Sequence, residues 1–216
     1  NTNMNEKEFY ARLLEHTSYQ KKKKEKLSLS FLVETFLKID LGESVLSELS
    51  YFERRKEYLS FFKNYDPKSI VKSGSYKRQL DSLLEQIKPT SVSPYKKLMK
   101  STLSIARYLS LFKTVEDFQK EVYLSCETPE KTFEFLESFR LKSKIPSCYF
   151  NKASRFFSEV GLLDIPLLTK HVKDILQRTF DLEDNNHLLF MKMLKIARVN
   201  EISLDELNRR MEQYSC

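Results

Sequence analysis

The sequence predicts an all-α protein, and three features carry that reading. Glycine is rare, confined to Gly42, Gly74 and Gly161. Apolar residues recur at three- and four-residue spacing almost throughout, and no stretch sustains the alternation of a half-buried strand. Leu, Lys, Glu and Ser fill most other positions, with proline kept to apparent connections, a composition that favours helix over sheet.

Taken in order, Glu6 to His16 reads as a first helix with Phe9, Leu13 and Leu14 turned inward. Leu27 to Ile39 reads as a second, and Ser44 to Asn64 as a third that stops before Asp66-Pro67, because the residue preceding proline is steered away from helical geometry. Ser75 to Ile87 follows and ends at Pro89. Pro94 opens a long helix, Tyr95 to Phe112, whose buried stripe is Leu98, Thr102, Ile105 and Leu109. Val115 to Tyr123 and Pro129 to Phe139 come next, with Thr128 as N-cap and Pro129 in the first helical position. A turn at Ile145–Tyr149 leads to a helix beginning near Asn151 and ending at Gly161. The last three helices are Pro166 to Phe180, Asn186 to Arg198 and Ser203 to Tyr214, where Ser203 and Glu206 form a capping-box pattern.

Composition narrows the function classes. The 216 residues are 41% hydrophobic and 31% charged, with a net charge of +7. That is a globular composition whose basic surplus suits a polyanionic partner, since cationic side chains displace counterions condensed on phosphates. No run approaches the roughly 18 apolar residues of a membrane span. The polar start, Asn1 to Glu8, has no apolar signal region, so a cytoplasmic location is expected. Cys126, Cys148 and Cys216 are an odd, scattered set without CxxC pairs, which argues against a disulfide framework, a zinc site or an iron–sulfur cluster. No metal or cofactor is therefore expected. Residues 1–26, with the run Lys21-Lys22-Lys23-Lys24, read as an N-terminal helix and basic segment, and residues 27–216 as the main domain.

The most informative stretch runs from Ile145-Pro146-Ser147-Cys148-Tyr149-Phe150-Asn151-Lys152-Ala153 through Val160-Gly161 to Ile165-Pro166-Leu167-Leu168-Thr169-Lys170-His171-Val172. It resembles, without gaps, the core of the helix-hairpin-helix DNA glycosylases. Upstream, Pro94-Tyr95-Lys96-Lys97-Leu98 and Ile105-Ala106-Arg107-Tyr108-Leu109 are similar to the family's preceding helix. Arg54-Arg55-Lys56-Glu57-Tyr58 and Phe62-Lys63-Asn64-Tyr65-Asp66-Pro67 resemble its 3-methyladenine glycosylase I branch. The resemblance covers about two thirds of the chain. It implies a two-lobed helical fold with a hairpin at about 136–157, a cationic crevice around Pro146, double-stranded DNA as partner, a monomer, and base-excision repair of alkylated or oxidised bases.

The same comparison shows departures. The two turn glycines that let backbone amides approach a phosphate are Ser147 and Tyr149 here. The family's lysine position falls on Asn151, with Lys152 one place later and about 100° round the helix. Its catalytic aspartate position falls on Thr169, and a hydroxyl cannot supply the charge that stabilises an oxocarbenium-like sugar. Candidate catalytic residues are accordingly Glu34, the one carboxylate in the apolar run Phe31–Phe36, together with Lys152 and Asp164; Asp174 is expected to face elsewhere and His171 to be structural. Candidate DNA contacts are Lys142, Lys144, Ser147, Tyr149, Asn151, Arg155, Lys170 and Lys173, with Tyr51, Phe52, Tyr149 and Phe150 available to stack a flipped base. Three readings follow: a monofunctional glycosylase, an inactive relative that binds DNA or protein through the same cleft, or an unrelated helical interaction domain.

Overall fold

Local signals start most of the helices. In the computed structural model, which describes residues 4–215, side-chain caps from Asn5, Ser28, Asp66, Ser75, Thr114, Thr128, Thr169, Asn185 and Ser203 each accept a first-turn amide. Such a cap contributes about 1 kcal/mol by satisfying a donor with no intrahelical partner. The resulting α-helices are α1 (Glu6–His16), α2 (Leu29–Glu48), α3 (Arg55–Phe61), α4 (Pro67–Lys72), α5 (Tyr76–Ile87) and α6 (Ser93–Leu109). They continue as α7 (Val115–Ser125), α8 (Pro129–Ser143), α9 (Phe150–Glu159), α10 (Lys170–Phe180), α11 (Asn186–Val199) and α12 (Leu204–Gln213). No strand occurs among the described residues, so the fold is all-α.

Three expectations are corrected. The helix expected over Ser44 to Asn64 is broken. Gly42 takes φ 78° and bends α2, Ser50 takes φ 46° after it, and Lys63, Asn64 and Tyr65 all lie at positive φ. The seven-, four- and three-residue spacing of Tyr51, Tyr58, Phe62 and Tyr65 imitates one continuous helical face. All four are buried, yet two turns rather than one rod bring them together. The helix expected from Pro166 starts only at Lys170, because Thr169 caps it and the preceding backbone is held extended. There Asn208, itself buried, accepts from the Leu167 amide at 2.9 Å and donates to the Ile165 carbonyl at 2.9 Å, replacing the helical bonds that segment forgoes. Leu14 is 48% exposed, whereas Phe9 and Leu13 are buried as expected.

Helix α2 lies against α6, α9 and α4, with α5 on α6, α8 on α9 and α7 on α8. A second group is formed by α1, α10, α11 and α12, so the first helix packs with the last ones. The extended segment between α1 and α2 is tied down by bonds from Tyr19 to Asp205 and between Ser18 and Gln213, and by an ion pair between Lys22 and Glu159. The groups join where α8 meets α11: Phe133 lies 5.2 Å from Phe150 and 5.3 Å from Phe190, centroid to centroid. The first pair is tilted and the second edge-on, and such aromatic packing adds to the stabilisation from the area each ring buries.

Candidate nucleic-acid interface

Helices α8 and α9 form a hairpin whose turn is set by a few specific bonds. Arg140 accepts, through its carbonyl, from the amide of Lys144, which ends α8 at φ 60°. The Cys148 amide donates to the Ile145 carbonyl at 3.1 Å, and the Tyr149 amide to the Ser147 carbonyl at 3.0 Å. Both amides are therefore spent within the turn and are not offered to a phosphate. Ile145 and Cys148 are buried and anchor the turn from inside, while Tyr149 is 63% exposed. The Arg140 guanidinium sits over the Tyr149 ring, 4.7 Å from its centroid.

Beneath the turn lies a polar cluster centred on Asp40, near the bend of α2. Its side chain is only 8% exposed. It accepts from the hydroxyls of Ser101 on α6 and Ser147 in the turn, and from the Lys152 ammonium on α9 at 2.9 Å; Lys152 also reaches the Asp40 carbonyl at 3.1 Å. With its Nζ bonded to both the side chain and the backbone carbonyl of Asp40, Lys152 anchors the hairpin in this arrangement. Ser147 is likewise committed inward. The neighbouring Cys148 thiol is pushed up to about 12 by burial, with the Asp40 charge acting in the same direction, which makes it unreactive. Asp40 was invisible as a candidate because a single acid at the end of an amphipathic helix looks like an ordinary surface residue.

The two expected catalytic carboxylates, Glu34 and Asp164, both accept internal hydrogen bonds. Asp164 accepts the Leu204 amide at 2.9 Å and the Asp205 amide at 3.0 Å, adding to the Ser203 cap of α12. Glu34 is buried, and both its oxygens are taken: Arg55 donates to each at 2.7 Å, and the Tyr51 hydroxyl donates at 2.8 Å. The Tyr65 hydroxyl lies 2.6 Å from that of Tyr51 and extends the network. Burial alone would raise the Glu34 carboxyl; the bonds from Arg55 and Tyr51 outweigh it and hold it below the usual range. Tyr51 is fully buried against Tyr58 and is unavailable for stacking a base, whereas Phe52 is 65% exposed.

Among the expected cations, Lys142 pairs with Glu121 at 3.5 Å and Lys173 with Asp184 at 2.9 Å. Lys144, Arg155 and Lys170 are exposed and make no ion pair among the described residues, and Asn151 is exposed at the start of α9. Phe150 is only partly exposed and packs on Phe133. At the start of α10, the Thr169 hydroxyl accepts from the Val172 amide and donates to the Glu212 carboxylate at 2.9 Å. Next to it, the His171 ring donates through Nε2 to the Tyr214 carbonyl at 2.8 Å, a structural bond that also fixes its tautomer. Glu212 is exposed and follows Thr169 by 43 residues. No sequence signal marked it among the many charges of α12. Asp174 is exposed.

Among the described residues no group of three or more His, Cys, Asp or Glu side chains could hold a metal ion, and no helix is long and apolar enough to cross a membrane. No protein-family model, curated protein or solved structure matches the chain.

Proposed function

We propose that the chain binds double-stranded DNA along the hairpin and the start of α10, and acts there as a glycosylase-like protein on a damaged base. The carrying observation is the Glu212 carboxylate bonded to the Thr169 hydroxyl at 2.9 Å. Thr169 occupies the position where the resemblance requires an aspartate, and Glu212 brings a negative charge to that point from another helix. A carboxylate there would stabilise a developing oxocarbenium-like sugar electrostatically, or take a proton from an attacking water, and Lys152, held by Asp40, takes no covalent part. Hydrolysis of the glycosidic bond by this route joins water's hydroxyl to the sugar carbon, and its proton leaves with the base. Lys144, Arg155 and Lys170, exposed and without an ion pair among the described residues, supply positive charge for the phosphates.

A second reading, a binding module without excision activity, is favoured by a different observation: Glu34, Asp40 and Asp164 are all committed to internal donors. The readings separate on duplexes containing 3-methyladenine or 8-oxoguanine, assayed for base release and for alkali-labile abasic sites. Glycosylase action gives release by the native chain and its loss in Glu212→Gln, with duplex affinity retained. Binding without release by either chain selects the module. Release that persists in Glu212→Gln removes Glu212 from the chemistry. Reversal of Lys144, Arg155 and Lys170 to Glu should abolish duplex binding, and the native affinity should fall steeply with salt, each phosphate contact adding about 0.9 to the logarithmic slope. Unchanged affinity in that triple variant refutes both readings.

A further inference from the structure

We infer that the exposed face of α6, with the start of α5 beside it, is a second contact surface for the phosphates of duplex DNA. The inference takes its partner from the DNA-binding reading above and adds a place of contact that the hairpin does not supply. Charge distribution is the first observation. Residues 67–109, which make up α4 to α6, hold nine Lys and Arg against two acids, Asp81 and Glu85. That surplus of seven equals the net charge of the whole chain, +7, so the remaining residues are balanced. None of the nine cations makes an ion pair among the described residues. The second observation is arrangement. Every exposed residue of α6 after Ser93 is a cation: Lys96, Lys97, Lys100 and Arg107. The four lie within about 100° of one another around the helix axis and span about 16 Å along it. That is the length of about five phosphates on one strand.

Such a stripe costs the helix stability. Lys100 sits one turn from both Lys96 and Lys97, so like charges repel at i,i+3 and i,i+4 spacing. The first turn of α6 also lacks the acid that the helix dipole favours. A face made only for solubility mixes signs, as on α12, where Arg209 pairs with Asp205 and Arg210 with Glu206. The Lys100 ammonium lies 5.9 Å from the centroid of the Tyr76 ring, so the start of α5, with Lys77 and Arg78, adjoins the stripe. Ser101, next to Lys100, bonds the Asp40 carboxylate that also receives Ser147 of the hairpin turn. A single duplex can therefore lie across both surfaces. The partner's chemistry follows from what the segment lacks. Of the exposed large hydrophobic residues only Val71 and Val92 fall on it. These are too few to enter a bilayer or to form the apolar centre of a protein interface. Its aromatics are buried or half-buried and offer no stacking platform to a single strand. What remains is a row of point charges on a rigid rod, which meets phosphates without regard to base sequence.

The test measures binding of the full chain to a fluorescently labelled DNA duplex over a series of salt concentrations. The stripe variant carries Lys96→Gln, Lys97→Gln, Lys100→Gln and Arg107→Gln together. A comparison variant with Lys21, Lys22, Lys23 and Lys24 all changed to Gln loses the same charge elsewhere. The stripe variant is expected to lower the logarithmic salt slope by at least about 1.8, the worth of two phosphate contacts, and to weaken binding at least tenfold at about 0.1 M salt. It should melt no lower than the native chain, because the substitutions relieve repulsion on an exposed face. The comparison variant should keep the native slope. A slope unchanged in the stripe variant overturns the inference and leaves the hairpin reading standing. If that variant instead loses adsorption to vesicles of phosphatidylserine and phosphatidylcholine, the stripe belongs to a lipid surface and the inference is equally overturned. An equal fall in both variants overturns it too, by showing that net charge and not this face sets the affinity. Absence of duplex binding by the native chain overturns the DNA-binding reading and the inference with it.

Discussion

The Lys152 ammonium lies 2.9 Å from the Asp40 carboxylate, joining the first turn of α9 to the bend of α2. Ser101 and Ser147 bond the same carboxylate, so a side chain 8% exposed receives three donors. A buried charge is tolerable only with such compensation. Asp40→Ala should therefore destabilise the fold by about 1.5–3 kcal/mol, the range for hydrogen bonds to a charged group, while Lys152 relaxes into solvent. Lys152→Met should cost a similar amount by leaving the carboxylate to two hydroxyls. In the double variant the losses should not add; a coupling of about 1–3 kcal/mol is expected from urea melts, and simple additivity would show the pair to be energetically idle.

Glu34 and Arg55 make an asymmetric pair. The Glu34 side chain is 11% exposed and that of Arg55 48%, so the two are not equivalent on removal. Arg55→Met strands a buried carboxylate and should cost about 3 kcal/mol at neutral pH, the lower end for orphaning a buried charge. The pH dependence has a definite sign. The folded carboxyl is held below its ordinary 4.5, so the pair's contribution is present above that pH and is lost as pH falls through the folded value. In Arg55→Met burial raises the carboxyl instead, and the protonated form is accommodated. The deficit of Arg55→Met relative to the native chain should thus shrink as pH falls below about 4.5, measured by chemical melts at each pH.

Much of the helical scaffold was legible because its signals are local. Thr128 with Pro129, Ser203 and the stripe Leu98, Thr102, Ile105 and Leu109 each behave as their neighbours in sequence dictate. The break at Lys63–Tyr65 was hidden for the opposite reason: helical spacing of buried aromatics is also satisfied by two turns, and only tertiary packing decides between them. The site was read less well than the scaffold. Asp164 lies near Thr169 in sequence, yet it caps a helix whose start is 40 residues away. Glu212 reaches Thr169 across 43 residues, a pairing no local pattern encodes. Glu34 stands out in sequence as the one acid in an apolar run; its partner Arg55 lies 21 residues on, beyond the reach of periodicity.

Glu6 ties α1 to α11 by accepting from Lys192 at 3.0 Å and Lys195 at 2.9 Å. These two bonds hold its carboxyl at about 2, below its ordinary 4.5. A depressed carboxyl contributes fully above 4.5 and loses its contribution between 4.5 and about 2. Glu6→Gln should destabilise the chain near neutral pH by about 1.5–3 kcal/mol. It should also flatten the fall in stability between those two pH values, so that native and variant melts converge toward pH 2. Parallel curves across that range would show that the lysines bind Glu6 no better folded than unfolded.

Lys144 combines a conformational cost with an exposed charge. It ends α8 in the left-handed region at φ 60°, where a side chain is disfavoured and glycine is not. Its ammonium makes no ion pair among the described residues, at the mouth of the proposed DNA surface. Lys144→Gly should raise stability by up to about 1 kcal/mol, since relief of the left-handed strain is partly offset by the greater entropy glycine has when unfolded. The same change removes one phosphate contact and should reduce the logarithmic salt slope of duplex binding by about 0.9. Stability and DNA affinity would then move in opposite directions in a single variant. A salt slope unchanged beside a higher melting temperature would take Lys144 off the DNA surface and leave it with a structural part alone.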